Sequence, residues 1–349
     1  MKRTYRLLAM LFTGMIFMAC SSTNRLTMGA TEPARITIPS EVMKIGIVNR
    51  SIPSEENSSL DKIDKILSLE GLKLDKEGAE AVITGVQDEL TRFERYERVD
   101  IIEAADVSRK GLGVFPAALT WEQVDRICKE NDVDLLISLE FYDTDTRADV
   151  DAIMVEVPNN FGIKAKVPHT RVTLNTVIKN GWRAYYPATK SILDEIVSNN
   201  YVTSSGQGLN PVKAVEAVIG RKEAVLESST YIGNLYGLDT RPKSRRVSRD
   251  YFVSGTDNFA VAKRRAQTGD WQGAAQLWEQ EVNNPKGKIA GRACYNMAII
   301  NEINGDLDAA MEWASKSYAD YDIREALRYI NILRNRMYDE RRVEEQLSK

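Results

Sequence analysis

Histidine and cysteine are nearly absent from this chain: one histidine, His169, and three cysteines, Cys20, Cys128 and Cys294, in 349 residues. A single imidazole and scattered thiols do not make a His/Cys metal site, which needs several such ligands at short spacing. Cys128 and Cys294 fall in predicted helices of two different predicted domains, so the fold is not built on disulfides. No GxGxxG and no GxxxxGK[ST] loop occurs, which removes the two familiar phosphate-cradling signatures. No charge of one sign dominates; the net charge of −3 gives no general pull toward nucleic acid. Past the first twenty residues there is no apolar run of the ~20 residues a spanning helix needs. His169, beside Pro168 between two predicted strands, reads as a surface-loop residue rather than a general base. The run DTDTRADVD (143–151) lacks the glycine and closing glutamate of a calcium loop and reads as a solvated turn. No metal, cofactor or catalytic set is expected, and the chain is read as non-enzymatic.

What is present begins at the N-terminus. Lys2, Arg3 and Arg6 precede an apolar stretch, Leu7 to Met18, that ends in Ala19-Cys20 and then Ser21-Ser22. A basic start, a short apolar core and a small residue before the cut make a secretory signal over 1–19. Phe17-Met18-Ala19-Cys20 resembles a lipobox, with Phe where Leu is usual; the alternative is an ordinary signal with a coincidental cysteine. The resemblance implies that Cys20 carries three acyl chains. At about 0.8 kcal/mol per buried CH₂, such an anchor is permanent. Ser21 follows the cysteine instead of an aspartate, which by analogy places the protein on the periplasmic face of the outer membrane, with that membrane as its first partner. Residues 20–40 are polar and aperiodic, with Pro33 and Pro39. They predict a flexible tether reaching about 60–70 Å at full extension.

The spacing of apolar residues predicts an α+β protein. In the domain expected over 41–205, VMKIGIVN reads as a strand. Ala79, Val82, Ile83, Val86, Leu90 and Phe93 recur at helical spacing, and ERVDII reads as the next strand. Thr120 with Gln123 three residues on is a capping-box start for a second helix, and VDLLISLEFY follows as a central strand. From Ala152 the pattern is strands alone, with one long strand through Tyr186 bent at Asn180-Gly181 and SILDEIV as its hairpin partner. Helices interleaved with strands and then an antiparallel meander predict a mixed α/β sandwich. A Ser/Gly-rich break at 201–210 leads to a helical connector over 206–255, opened by Pro211. The connector ends in the cationic run Arg241–Arg249. That run reads as an exposed linker, with contact to anionic headgroups or peptidoglycan as its second reading.

Residues 256–349 repeat. GDWQGAAQLWEQEV (269–282) and GDLDAAMEWASKSY (305–318) align without a gap, 36 residues apart. The period, the Gly-Asp turns, Ala274 with Ala310, and the pairs Val261-Ala262 and Met297-Ala298 resemble tetratricopeptide repeats. Arg265 and Asn301 depart from a usual Tyr, and Glu281 from a usual Ala. Ile323–Leu347 is expected as a capping helix, and the helix at 211–236 as the closure of the other end. The resemblance implies a concave groove lined by Phe259, Lys263 and Gln267 from one repeat and by Tyr295, Ile299 and Glu302 from the next, binding a protein partner in the envelope.

The first domain, through KIGIVNRS, FERYERVDII and GWRAYYPATKSILDE, resembles the periplasmic α/β domain of outer-membrane assembly lipoproteins of the curli-secretion and penicillin-binding-protein-activator type. The whole chain resembles a family of bacterial lipoproteins, without a settled activity, that join such a domain to tetratricopeptide repeats. The function expected is an anchored, non-enzymatic adaptor. The alternative is a homo-oligomeric ring or secretion-pore component, with 150–186 as membrane strands. Those strands need about 9–11 residues with an apolar outer face, and Pro158 and charges interrupt this stretch.

Overall fold

Two bodies of structure separate along the chain: one is Ala34–Pro242 with Gln346 onward, and the other joins the described residues up to Pro33 with Lys243–Glu345. The computed structural model describes residues 22–51, 62–103, 115–158, 164–218 and 220–348. The predicted signal segment and Cys20 lie outside the described residues.

The α/β unit is a five-stranded sheet in the order β3-β2-β4-β5-β6. Its strands are β2 (Lys44–Asn49), β3 (Arg98–Ile102), β4 (Leu135–Pro158), β5 (Lys164–Tyr186) and β6 (Ser191–Gly208). β2 pairs in parallel with β3 and β4, and β4–β5–β6 form an antiparallel meander. Alternation sorts the core, as it must in a pleated sheet buried on both faces. Ile45, Ile47, Leu135, Ile137 and Leu139 face α1 (Lys62–Arg92) and α4 (Arg221–Leu238). Val48 and Leu136 face α2 (Trp121–Glu130) through Val124, Ile127 and Cys128. The expected sandwich is therefore present. The α1 stripe Ala79, Val82, Ile83, Val86 and Leu90 is buried as the spacing predicts. α2 starts on the expected box, with Thr120 Oγ1 accepting from Gln123 N–H and Gln123 Oε1 accepting from Thr120 N–H. α1 and α4 cross where Gly85 and Gly233 meet, so that a Cβ on either would collide with the other helix's backbone.

Five expectations for this unit change. DTDTRADVD is no turn: it lies inside β4, and the near-alternate aspartates are the period-two signature of one exposed face. Asp143 and Asp145 flank Lys179 there, at 3.7 and 3.4 Å. His169 likewise sits within β5, paired with Ile153, and not in a loop. The Ser/Gly-rich break continues β6 as far as Gly208. The irregularity expected at Asn180-Gly181 falls on the opposite strand, where Glu140 is bulged between Leu139 and Phe141. The helix expected over 211–236 is two, α3 (Pro211–Glu216) and α4, separated around Gly220 at φ 79. α3 covers Val172 and Leu174, and α4 packs in the sheet core, so neither closes the helical repeats.

The helical unit contains α5 (Asp257–Gln267), α6 (Trp271–Glu279), α7 (Gly287–Ile303), α8 (Leu307–Ala319) and α9 (Arg324–Leu347). The two hairpins obey the 36-residue spacing in their bonding. Gly269 and Gly305 both take φ 84, a left-handed turn that glycine enters without strain. Asp270 and Asp306 both cap the following helix, accepting from Gly273 and Ala309 N–H at 2.8 and 2.9 Å. Ala262, Ala274, Ala298 and Ala310 are fully buried at the crossings. α9 is the expected terminal helix.

This unit also holds a ribbon that the sequence reading missed. β1 (Thr23–Glu32) pairs antiparallel with β7 (Lys243–Phe252) over its whole length, Thr23 opposite Phe252 and Glu32 opposite Lys243. The expected tether thus contains a ten-residue strand, and the expected linker Arg241–Arg249 enters another. In β1 the buried or half-buried Leu26, Met28 and Ala30 alternate with exposed Arg25, Thr27, Gly29 and Thr31. That is a strand pattern, but its apolar members are too small and few to stand out locally.

Candidate functional site

The groove expected to take a partner is occupied by the chain itself. Phe259, Tyr295, Ile299 and Glu302 are buried, against the ribbon or the neighbouring helices; they do not face solvent. Lys263 remains half-buried and Gln267 exposed on α5. Phe252 of β7 meets the Tyr295 ring edge-on at 5.2 Å. The Asn296 carboxamide binds the same strand twice, accepting from Phe252 N–H at 2.8 Å and donating to its carbonyl at 2.7 Å. Two-point amide recognition of an extended backbone is what a peptide groove does; here the peptide is β7. Repeat spacing marks the inward face of a helix and cannot tell what fills it.

Glu302 shows the same closure electrostatically. Its carboxylate is fully buried and takes a bidentate pair from Arg249 at 2.8 and 2.7 Å, with Arg336 at 3.2 Å and the Tyr329 hydroxyl at 2.7 Å. Burial, then the adjacent Glu302 charge, pushes the Tyr329 phenol far above its usual range, which keeps it a donor. A buried ion takes such partners because desolvation costs several kcal/mol otherwise. The cationic run is also largely absorbed within each unit: Arg241 pairs with Glu89, Arg245 with Glu32 and Arg249 with Glu302. Arg249 is buried and Arg241 half-buried in these pairs, while Arg245 stays exposed on the ribbon.

The α/β unit has its own buried carboxylate at the β4 bulge. Glu140 pairs with Arg50, accepts from the Tyr185 hydroxyl at 2.7 Å and lies 3.6 Å from Arg183. Arg183 is fixed in turn by Glu195 at 2.6 Å, the Pro116 carbonyl at 2.8 Å and the Phe115 ring at 4.1 Å. Burial raises the Glu140 pKa, and the two arginines oppose the shift. Each charge is matched, so the cluster reads as an internal lock. Elsewhere, a pocket of about 190 Å³ is lined by the stacked pair Trp182 and Tyr236 and by Arg35, which bridges Asp194 and Asp239 at 2.6 and 2.7 Å. Among the described residues no group of three or more His, Cys, Asp or Glu could hold a metal, and no helix is long and apolar enough to cross a membrane.

Among the described residues β6 presents an open edge. From Ile196 to Gly208 it carries no charged residue. Val197 and Tyr201, on its outer face, are 50% and 76% exposed. Among the described residues no strand pairs with its outer edge. An edge of this length is ordinarily blunted by charge, proline or a covering element.

The architecture is α+β: a mixed sheet between helices, and a unit of helical hairpins closed by a two-stranded ribbon. The chain belongs to the family described as a domain of unknown function, DUF8603, whose model matches residues 42–252, ending at the last residue of β7. A second model, DUF6340, also described as a domain of unknown function, matches residues 260–335. No curated protein matches the chain. Among solved structures it is similar to the PelC dodecamer from Paraburkholderia phytofirmans, at 9% identity and a TM-score of 0.24 over 62% of this chain and 96% of that one. It is also similar to a homolog of a neuraminyllactose-binding hemagglutinin from Helicobacter pylori, at 9% identity and a TM-score of 0.26 over 56% of this chain and 90% of that one.

Proposed function

We propose that this chain is a lipid-anchored envelope protein that binds a protein partner along the open edge of its sheet, as a non-enzymatic scaffold. The outer edge of β6, without charge from Ile196 to Gly208 and with no paired strand among the described residues, supports the reading. An extended partner segment adding to β6 would satisfy its outward N–H and C=O groups, with Val197 and Tyr201 as side-chain anchors. The anchor rests on the lipobox-like residues ending at Cys20. Pull-down from detergent-solubilised envelopes, wild type against Val197→Lys/Tyr201→Lys, tests the edge; identical partner lists would sink it.

A second reading makes the partner another copy of this chain. Beyond Leu139, where its pairing with β2 ends, β4 also has an outer edge with no paired strand among the described residues. β4 and β6 run in the same direction, so β6 of one copy can meet β4 of the next head-to-tail, the arrangement that closes rings or extends filaments. Val150, Met154 and Val157, exposed on this stretch, suit such a contact. Light scattering of the purified full chain separates the readings: a defined oligomer abolished by Val197→Lys/Tyr201→Lys favours self-pairing, and a monomer favours a foreign partner.

A further inference from the structure

We propose that the helical unit lies directly on the lipid headgroups, with the Ser22–Thr23 and Phe252–Gly255 end of its ribbon against the membrane. This rests on acylation of Cys20 as proposed above. The length of chain left between Cys20 and the ribbon sets the distance to the membrane. β1 begins at Thr23, and the Ser22 carbonyl already accepts from Val253 N–H at 2.9 Å. Only Ser21 separates Cys20 from that bonded residue. Two backbone steps span at most about 7 Å, against the about 60–70 Å available had 20–40 been a flexible tether. Where Ser22 sits, the headgroups must be.

The chemistry of this end suits a phosphate-bearing surface. Arg292 on α7 donates to the Ser254 carbonyl at 2.8 Å and lies over the Phe252 ring at 4.9 Å. Lys288 is exposed one turn earlier on the same face of α7, beside exposed Lys286. Arg25, on β1, is exposed and paired with Asp250 at 3.0 Å; Asp257, in the first turn of α5, and Glu281, which is buried and accepts from the Thr256 hydroxyl at 2.7 Å, are further acids at this end. The other end of the ribbon is the pair Glu32 and Lys243.

The test uses the full acylated chain in vesicles whose headgroups carry a nitroxide quencher. A fluorophore is placed on Ser254→Cys or, about 27 Å away along the ribbon at ~3.4 Å per residue, on Ser244→Cys. Both sites are exposed. Cys128 and Cys294 are buried, and burial pushes their thiols up to about 12 and about 11, so they resist labelling. The inference predicts that the label at 254 loses most of its fluorescence and the label at 244 little. A Gly/Ser insert of about 20 residues between Ser21 and Ser22 should remove the difference. Equal quenching in protein that floats with vesicles and carries acylated Cys20 by mass spectrometry overturns the docking and leaves the anchor standing. An unmodified Cys20 overturns both. A difference that survives the insert overturns the short link as its cause.

Discussion

The two units treat their exposed backbone in opposite ways. The helical unit presents an inward face that could hold an extended peptide and fills it with β7, bound through Asn296 and Glu302. The α/β unit builds a long sheet and leaves the outer edge of β6, uncharged from Ile196 to Gly208, with no paired strand among the described residues. The contrast is why the proposed partner is assigned to the sheet and not to the repeats. A groove satisfied from within has no free bonding groups to offer, whereas an open edge has a row of them.

Breaking the closed side should cost most. Glu302→Ala strands Arg249 as a buried, unpaired charge and is expected to destabilise the helical unit by about 3–5 kcal/mol. Urea unfolding checks it, and a loss below about 1 kcal/mol would mean that the ion cluster holds nothing. Asn296→Ala leaves both backbone groups of Phe252 without their partner and should cost about 2 kcal/mol, with faster amide exchange at Phe252; unchanged exchange there would deny that Asn296 pins the strand. Gly269→Ala and Gly305→Ala each force a side chain into the left-handed region at φ 84. Each should lose about 1 kcal/mol, and equally, if the hairpins are true repeats; unequal thermal shifts would contradict that equivalence. The open side should be nearly silent: Val197→Lys or Tyr201→Lys changes stability by no more than about 0.5 kcal/mol while abolishing capture of the partner. A large stability loss would show that β6 is part of the core.

Local chemistry was legible wherever the signal is local. The Thr120–Gln123 box, the α1 stripe and the paired Gly-Asp turns all stand where spacing placed them, because each depends on residues a few positions apart. The ribbon was not legible, because Thr23 finds its partner at Phe252, more than 200 residues away. Each of its strands is polar on one face and thin on the other. The same blindness hid what fills the groove: Phe259, Tyr295, Ile299 and Glu302 do face inward, but onto the chain's own β7 or neighbouring helices. In DTDTRADVD, four aspartates in nine residues suggested a turn by composition, while their spacing already carried the period of a strand.

The most direct measurement places a photo-reactive residue at Tyr201 or at Gln267 in the full chain and crosslinks in intact envelopes. A defined protein adduct from position 201 and none from 267 is the result expected of an open sheet edge beside a closed groove. An adduct from 267 alone would contradict it, returning the partner to the helical repeats and leaving β6 an edge with no role in binding.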